Sequence, residues 1–461
     1  MRVKALVRGL LVEGAVVGAV TAAAIQVVAA DVAPTSATIG TAEIVLPGFA
    51  PLTWNQGRLA LGAGRAYFWE REFLPARIDA RDRQLTGPLT LNLLQDGQLR
   101  SLPPVTLAVT EANGHHVELT GSVAASATLT VSTAVRVEYD GLATVELRLT
   151  PRGVVALDGL ALSISVVRTA DLRLLAYVPE SIYDYGKQVV FPLCGAMPYK
   201  SVLGFTDTER SFWVLTDEPA FPGPASDRPP TTVNCDGQKV QVVQPLLAAQ
   251  VLTAPLTVRF AFLATPVRDL PASARRDRVV PRLSREEALL GNRQLWWVEA
   301  LPHYALVSLS YPNGALDRLN SADRAAYPGL TANRADLLAW RSLGIERLPY
   351  VSLRAPSALD PVPAAEGDRW RVLPPVTMPA IADGPYHQGF ARPLLSHRAR
   401  GFSDYMVERL DAVLAELPAR GFYFDQAEPI GSANPLHLPA DKRVRPPQAT
   451  DILAMRQFFK F

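Results

Sequence analysis

The chain of 461 residues has only two cysteines, Cys194 and Cys235. Neither a multi-disulfide scaffold nor a cysteine-rich metal cage can therefore organise it. It also lacks an excess of one charge. Its 46 lysines and arginines face 44 aspartates and glutamates, for a net charge of +2. Such a balance gathers no polyanion, so no nucleic-acid partner is expected. No HExxH, CxxC or paired-histidine spacing occurs, so no metal and no cofactor are expected. P-loop, dinucleotide and Gly-x-Ser-x-Gly signatures are missing as well. Beyond residue 30 there is no long apolar run, so no membrane insertion is expected there.

What is present is ordinary globular composition, 48% hydrophobic and 20% charged, at a length that suits two or three domains. Prolines, at 39, outnumber the 30 glycines, as suits a β-rich chain with rigid turns. Residues 1–30 stand apart. Arg2, Lys4 and Arg8 precede an apolar run from Gly9 to Ala30, ending in the small residues Val28-Ala29-Ala30. This has the layout of a secretory signal, with Glu13 as its one costly residue. An uncleaved anchor and a misplaced start are the alternatives. The expected location is secreted, periplasmic or cell-surface. There, Cys194 and Cys235 either pair or remain as buried thiols, and the sequence leaves both open.

Residues 44–264 carry short alternating runs such as Val105-Thr106-Leu107-Ala108-Val109 and Val145-Glu146-Leu147-Arg148-Leu149. A period of two with Val, Leu and Thr predicts half-buried antiparallel strands. Asp96-Gly97, Asn113-Gly114, Asp140-Gly141 and Asp236-Gly237 supply hairpin turns through positive φ. The region is expected to form one large or two smaller β-sandwiches, with no helix longer than two turns. Residues 265–284 are Pro-rich and charged and predict a linker.

Residues 285–461 change texture. Leu337, Leu338, Trp340 and Leu343 predict a helix over 331–344, with Trp340 in the core, before a strand at Leu348–Leu353. Ser403 is placed to cap a helix whose face is Met406, Leu410, Val413, Leu414 and Leu417. Gly421–Asp425 predicts a short strand, and Thr450 opens a helix with Ile452, Leu453 and Phe459. Helix–strand alternation implies parallel β/α units, here a partial (β/α)8 TIM-type barrel. Residues 285–461 are too few for the ~250 of a complete barrel, so further chain beyond Phe461 is expected.

Several segments recur together in one order: Leu46-Pro47-Gly48-Phe49-Ala50-Pro51-Leu52, Glu138-Tyr139-Asp140-Gly141, Ala264-Thr265-Pro266-Val267, Gly421-Phe422-Tyr423-Phe424-Asp425, Asn434-Pro435-Leu436-His437 and Met455-Arg456-Gln457-Phe458-Phe459-Lys460. In this the chain resembles bacterial proteins related to glycoside hydrolase family 123, over about residues 44–461. The resemblance implies a β-sandwich followed by a (β/α) barrel that removes N-acetylgalactosamine from β-linked glycans with retention. The sugar's own acetamido oxygen is then the nucleophile, an exception to the two-carboxylate mechanism. An adjacent Asp-Glu pair serves such enzymes, the Asp orienting the acetamide and the Glu protonating the leaving oxygen.

Asp425 fits the first role, since it ends an apolar strand where barrel active sites lie; a loop-capping Asp is the alternative. Gln426 stands where the resemblance expects the acid, so Glu428, three residues after Asp425, is the candidate proton donor. A solvated loop carboxylate is its other role. Tyr311, Arg354, Gln426 and Trp370 are the expected substrate contacts, with Trp296, Trp297, Tyr386 and Ser352 as weaker ones. Asp317 reads as a loop or cap residue, His437 as a surface imidazole, and His303, His387 and His397 show no common spacing. The expected partner is carbohydrate, cleaved by a glycosidase or only bound by a surface protein. No oligomeric state is implied.

Overall fold

The computed structural model describes residues 43–95, 97–177, 189–216, 229–269, 278–280, 295–299, 338, 342, 345–354, 361–373, 394–416, 421–425, 427, 430–437 and 449–460. The predicted signal at 1–30, Tyr311, Asp317, His303, Tyr386, His387, Gln426 and Glu428 lie outside these. Two compact units are present, one of which is essentially Glu43–Asp269. None of the described helices is long and apolar enough to cross a membrane.

The described residues of Glu43–Asp269 form strands and turns only. Two large antiparallel sheets result, beside a short antiparallel pair of Val155–Leu157 with Gln250–Leu252. One has ten strands and runs from Thr53–Asn55 at one edge to Gly195–Met197 at the other. The second has nine and runs from Val189–Phe191 to Ala108–Ala112. Period-two chemistry decides which side of each strand is covered. Val131, Val135 and Val137 in Leu129–Glu138, and Val145, Leu147 and Leu149 in Ala143–Pro151, are buried, while the residues between them are more open. The inward faces of both sheets join one apolar cluster, in which Tyr67 of one sheet meets Phe262 of the other at 5.9 Å. Each such buried Leu, Val or Phe contributes about 1.5–3 kcal/mol.

The turns solve the same geometric problem in two ways. Gly97 and Gly141 adopt φ of +71° and +85°, as predicted for their pairs. Asn113 and Asp236 instead use their side chains. Asn113 Oδ1 accepts the backbone N–H groups of His115 and His116, and Asp236 Oδ1 accepts those of Gln238 and Lys239. Gly114 and Gly237 are not in the left-handed region, because the Asx turn already reverses the chain. The turn before Arg83–Gln95 places Arg81 and Asp82 at φ of +54° and +56°, a hairpin that residue preference does not announce.

Arg65 closes one end of this unit. Only 1% exposed, it donates to Gly62 O at 3.0 Å, Asp140 O at 2.6 Å, Ala264 O at 3.2 Å and Val267 O at 2.6 Å. Tyr67 adds to the junction: its hydroxyl donates to Gly141 O at 2.7 Å and accepts from Ala264 N–H at 3.1 Å. Phe49 packs edge-on against Tyr139 at 5.2 Å. Three of the ordered motifs, around Phe49, Asp140 and Ala264, thus meet at one place. Two of them, around Asp140 and Ala264, supply acceptors to the buried guanidinium.

Cys194 and Cys235 form a disulfide, with 5.7 Å between their Cα atoms and 41 positions between them in sequence. It ties Gly195–Met197 to its neighbour Thr231–Cys235.

The second unit holds a four-stranded parallel sheet in the order Arg278–Val280, Leu295–Glu299, Ile345–Ser352, Tyr423–Asp425. Four strands do not close a barrel. Its described helices are α1 (Pro361–Trp370), α2 (Arg400–Glu416) and α3 (Ile452–Phe459). Helix α1 opens on Pro361, whose fixed φ and missing N–H suit a first helical position. Helix α2 starts three residues before the predicted cap. Ser403 does not cap it; its hydroxyl lies 3.0 Å from His397 Nδ1 and 3.3 Å from His397 O. Met406 and Leu410 are buried as expected, together with Phe402, Tyr405 and Val407.

Gly141→Ala is expected to cost about 2–4 kcal/mol. It combines left-handed strain with the loss of buried hydrogen bonds, because a Cβ there would lie 2.1 Å from Arg65 Nη1. Gly97→Ala, with nothing near its Cβ, should cost only about 1 kcal/mol. Paired denaturation curves check the difference. Replacing Cys194 and Cys235 by serine should remove about 2–4 kcal/mol from the same unit through loop entropy, read as a lower unfolding midpoint.

Candidate functional site

All four strands of the parallel sheet run the same way, so their C-terminal ends share one edge. Asp425 ends its strand there, directly opposite Ser352 in the register. Apolar residues fix that strand, with Phe422 buried and Phe424 ringed by Phe422 at 5.9 Å and Phe459 at 5.6 Å. Trp296 and Trp297 lie within Leu295–Glu299, opposite Glu346 and Arg347. The loop after Asp425 is anchored twice, since Ala427 packs against the apolar cluster and the Ile430 N–H donates to Asp451 Oδ1 at 2.9 Å. Glu428 lies in sequence between these two anchors.

Asp451 organises the surroundings. Fully buried, it pairs bidentately with Arg354, Nη1 to Oδ2 at 2.5 Å and Nη2 to Oδ1 at 3.0 Å. The Ser396 hydroxyl and the His397 N–H each donate to Oδ2 at 3.2 Å. Arg354 also donates to Leu395 O at 3.3 Å. One carboxylate therefore joins the exit of Ile345–Ser352, the turn at 396–397, the loop after Asp425 and the start of α3. Burial resists its charge, but Arg354 and the donors around it outweigh this and hold Asp451 below the usual carboxylate range.

His397 is the second interior group. Its Nε2 donates to Leu353 O at 3.1 Å, which leaves Nδ1 to accept from Ser403 Oγ at 3.0 Å. Burial, reinforced by the nearby Arg354 charge, pushes its pKa from 6.5 to about 3, so the imidazole is neutral. His437 is buried rather than on the surface, in the 3-10 turn Pro435–His437, with Nε2 2.7 Å from Arg369 O. Asn434 supports it by donating to Arg371 O at 2.8 Å and accepting the Leu436 N–H at 3.0 Å. The Asn434-Pro435-Leu436-His437 motif thus secures the end of α1.

Of the predicted site residues, Asp425 occupies the strand-end position. Arg354 is 0% exposed and engaged by Asp451, and Trp370 is buried between Phe402 at 5.7 Å and Tyr405 at 5.6 Å. Both lie in the interior rather than on a sugar-facing surface. Two groups escaped the sequence, Asp451 and His397. Asp451 precedes an apolar helix, where a capping role is the natural inference, yet it makes no side-chain cap hydrogen bond. Its partner lies 97 positions away, beyond any local spacing rule.

No protein-family model matches the chain. No curated protein matches it either. Among solved structures it is similar to the GH36 α-galactosidase AgaA from Geobacillus stearothermophilus in complex with raffinose, at 12% identity and TM-score 0.35, covering 87% of this chain and 69% of that one. The α-N-acetylgalactosaminidase NagBb from Bifidobacterium bifidum, bound to GalNAc, is similar at 12% identity and TM-score 0.31, covering 88% and 73%. Galactose 1-epimerase from Lactobacillus acidophilus NCFM is similar at 7% and 0.29, covering 47% of this chain and 98% of that one. The first two are glycoside hydrolases, and family 123 is not among the three. At these TM-scores the likenesses carry no structural argument.

A neutral buried histidine makes the fold acid-sensitive. The unfolded chain binds a proton at His397 below pH 6.5 and the folded chain does not until about pH 3. Stability conferred by this group is complete above pH 6.5 and falls through that window at about 1.4 kcal/mol per pH unit. Asp451, depressed by Arg354, adds loss in the same direction at lower pH. His397→Gln keeps one donor and one acceptor but does not titrate. It is expected to flatten the acid limb of a stability–pH curve by one proton, measured by denaturation from pH 7 to 4.

Proposed function

We propose that the chain is a glycoside-hydrolase-type protein acting on N-acetylhexosamine-containing glycans, with Asp425 as the carboxylate that orients the substrate's acetamide. The observation that carries this is the position of Asp425, at the C-terminal end of a strand in a parallel sheet, where β/α enzymes place their reacting groups. A partial (β/α) barrel is the architecture proposed for the unit around it. Support for a sugar substrate comes from the order of motifs shared with family 123 relatives. Glu428 is proposed as the acid, on a loop anchored at Ala427 and Ile430. Export is proposed too, supported by the basic-apolar start of the sequence and by the Cys194–Cys235 disulfide, a bond of oxidising compartments. Gln426, in place of a carboxylic acid, favours one second reading, a protein that binds glycan without cleaving it.

The test compares an N-acetylated β-aryl glycoside with its 2-hydroxy counterpart. The acetamide route predicts turnover of the first alone. Asp425→Asn should lower kcat/KM by about 10²–10³-fold, because a neutral amide cannot offset the forming oxazolinium charge. Glu428→Gln should slow poor leaving groups by about 10²-fold and spare activated ones. Turnover unchanged in Asp425→Asn would refute the assignment, whereas saturable sugar binding without turnover would establish the binding-only reading.

A further inference from the structure

We propose that the β-sandwich unit carries a divalent-cation site of the zinc class on its outer face, formed by His116, Glu111 and Glu118. The strands dictate the grouping. Glu111 and Glu118 are register partners on the neighbouring strands Ala108–Ala112 and His116–Ser126, and His116 is two residues from Glu118, on the same side of its strand. Two carboxylates directly opposite each other repel. Arg136, on the next strand, answers only part of this, since it bonds Glu118 Oε1 at 2.5 Å and also lies 3.6 Å from Glu138. Glu111 accepts a neutral donor instead, Asn113 Nδ2 at 2.8 Å.

The pointer to a ligand is His116. Its side chain is 1% exposed, yet Nε2 has no hydrogen-bond partner among the described residues. Glu111 Oε1 is 3.2 Å and Glu118 Oε1 3.9 Å from that nitrogen. At 3.2 Å a hydrogen bond would form if the oxygen lay along the N–H axis, and it does not. An oxygen that shares an ion with the nitrogen sits off that axis by necessity. Donors around a tetrahedral ion at ~2.0–2.1 Å stand about 3.3 Å apart, and all three ligand atoms here lie within 4.8 Å of one another. The outer contact exists as well. His116 Nδ1 is 2.8 Å from His115 Nδ1, so an ion on Nε2 leaves Nδ1 to donate its proton to His115, the interaction that fixes a ligating imidazole. Arg136 Nη2, 3.2 Å from Nδ1, then gives up that contact and keeps its carboxylates Glu118 and Glu138. Access is open, because Ala108–Ala112 is an exposed edge strand. One imidazole with two carboxylates suits zinc better than magnesium or calcium. An ion here would fasten the edge strand to its neighbour.

The experiment titrates the full chain, stripped with chelator, with Zn2+ alone by calorimetry. One ion per chain is expected to be lost on changing these ligands, with Glu111→Gln and Glu118→Gln each weakening Kd at least tenfold. Glu146→Gln, in an exposed pair with Arg259 on the same sheet, should leave Kd unchanged. Mg2+ should fail to compete. Glu111 is exposed on the edge, so its variant folds even where a His116 variant fails. Absence of saturable Zn2+ binding, or an unaltered Kd in Glu111→Gln, would overturn the site.

Discussion

A guanidinium removed from water must find acceptors for its N–H groups, and each unit of this chain is arranged around one such demand. In the sandwich, Arg65 meets it with four backbone carbonyls drawn from segments as far apart in sequence as Gly62 and Val267. In the parallel unit, Arg354 meets it chiefly with the carboxylate of Asp451. The two solutions differ in their response to acid. Carbonyls do not titrate, so the Arg65 junction is insensitive to acid. The Arg354 junction depends on an ionised Asp451, and losing either partner strands a charge in the interior at a cost of about 3–5 kcal/mol.

That second junction matters for the strand end at Asp425 because of where its other bonds go. Asp425 is set by its strand, but a loop following a strand is free to wander unless something holds it. Ile430 is held by Asp451, Ala427 by the apolar cluster, and the strand itself by Phe422 and Phe424. The buried ion pair thus fixes the backbone at Ile430, five positions after Asp425. Trp370 belongs to the same support, as part of the packing that holds α1 and α2 together.

The sandwich was legible because its signal is local: alternation at Leu129–Glu138 and Ala143–Pro151 is written into consecutive residues. Strand-end Asp425 was legible for the same reason. Helix α1 was not, since Pro361, Pro363 and Gly367 are poor helix formers and the segment drew no helix prediction, although Pro361 occupies the one helical position that favours it. Asp451 and Arg65 were illegible in principle, because acceptors 97 and 202 positions away leave no periodic trace. The ordered motifs were visible but mute. Three of them meet around Arg65 and one secures the end of α1, and only packing reveals this.

The rule that makes Arg65, Arg354 and His397 structural also separates His116 from them. The first three are buried and have acceptors or donors in line, so the fold itself explains them. His116 Nε2 is buried and has none. An unmet nitrogen is not by itself a site: Trp69 Nε1 and Thr86 Oγ1 likewise have no partner among the described residues. An indole N–H cannot ligate a cation, and a lone hydroxyl without carboxylates does not attract one. What distinguishes His116 is that two carboxylates converge on the same unmet atom from adjoining strands. A backbone that places like charges side by side beside a buried imidazole incurs a repulsion that one guanidinium on Glu118 and a neutral amide on Glu111 leave partly uncompensated. A divalent ion removes the repulsion and satisfies the nitrogen in one step.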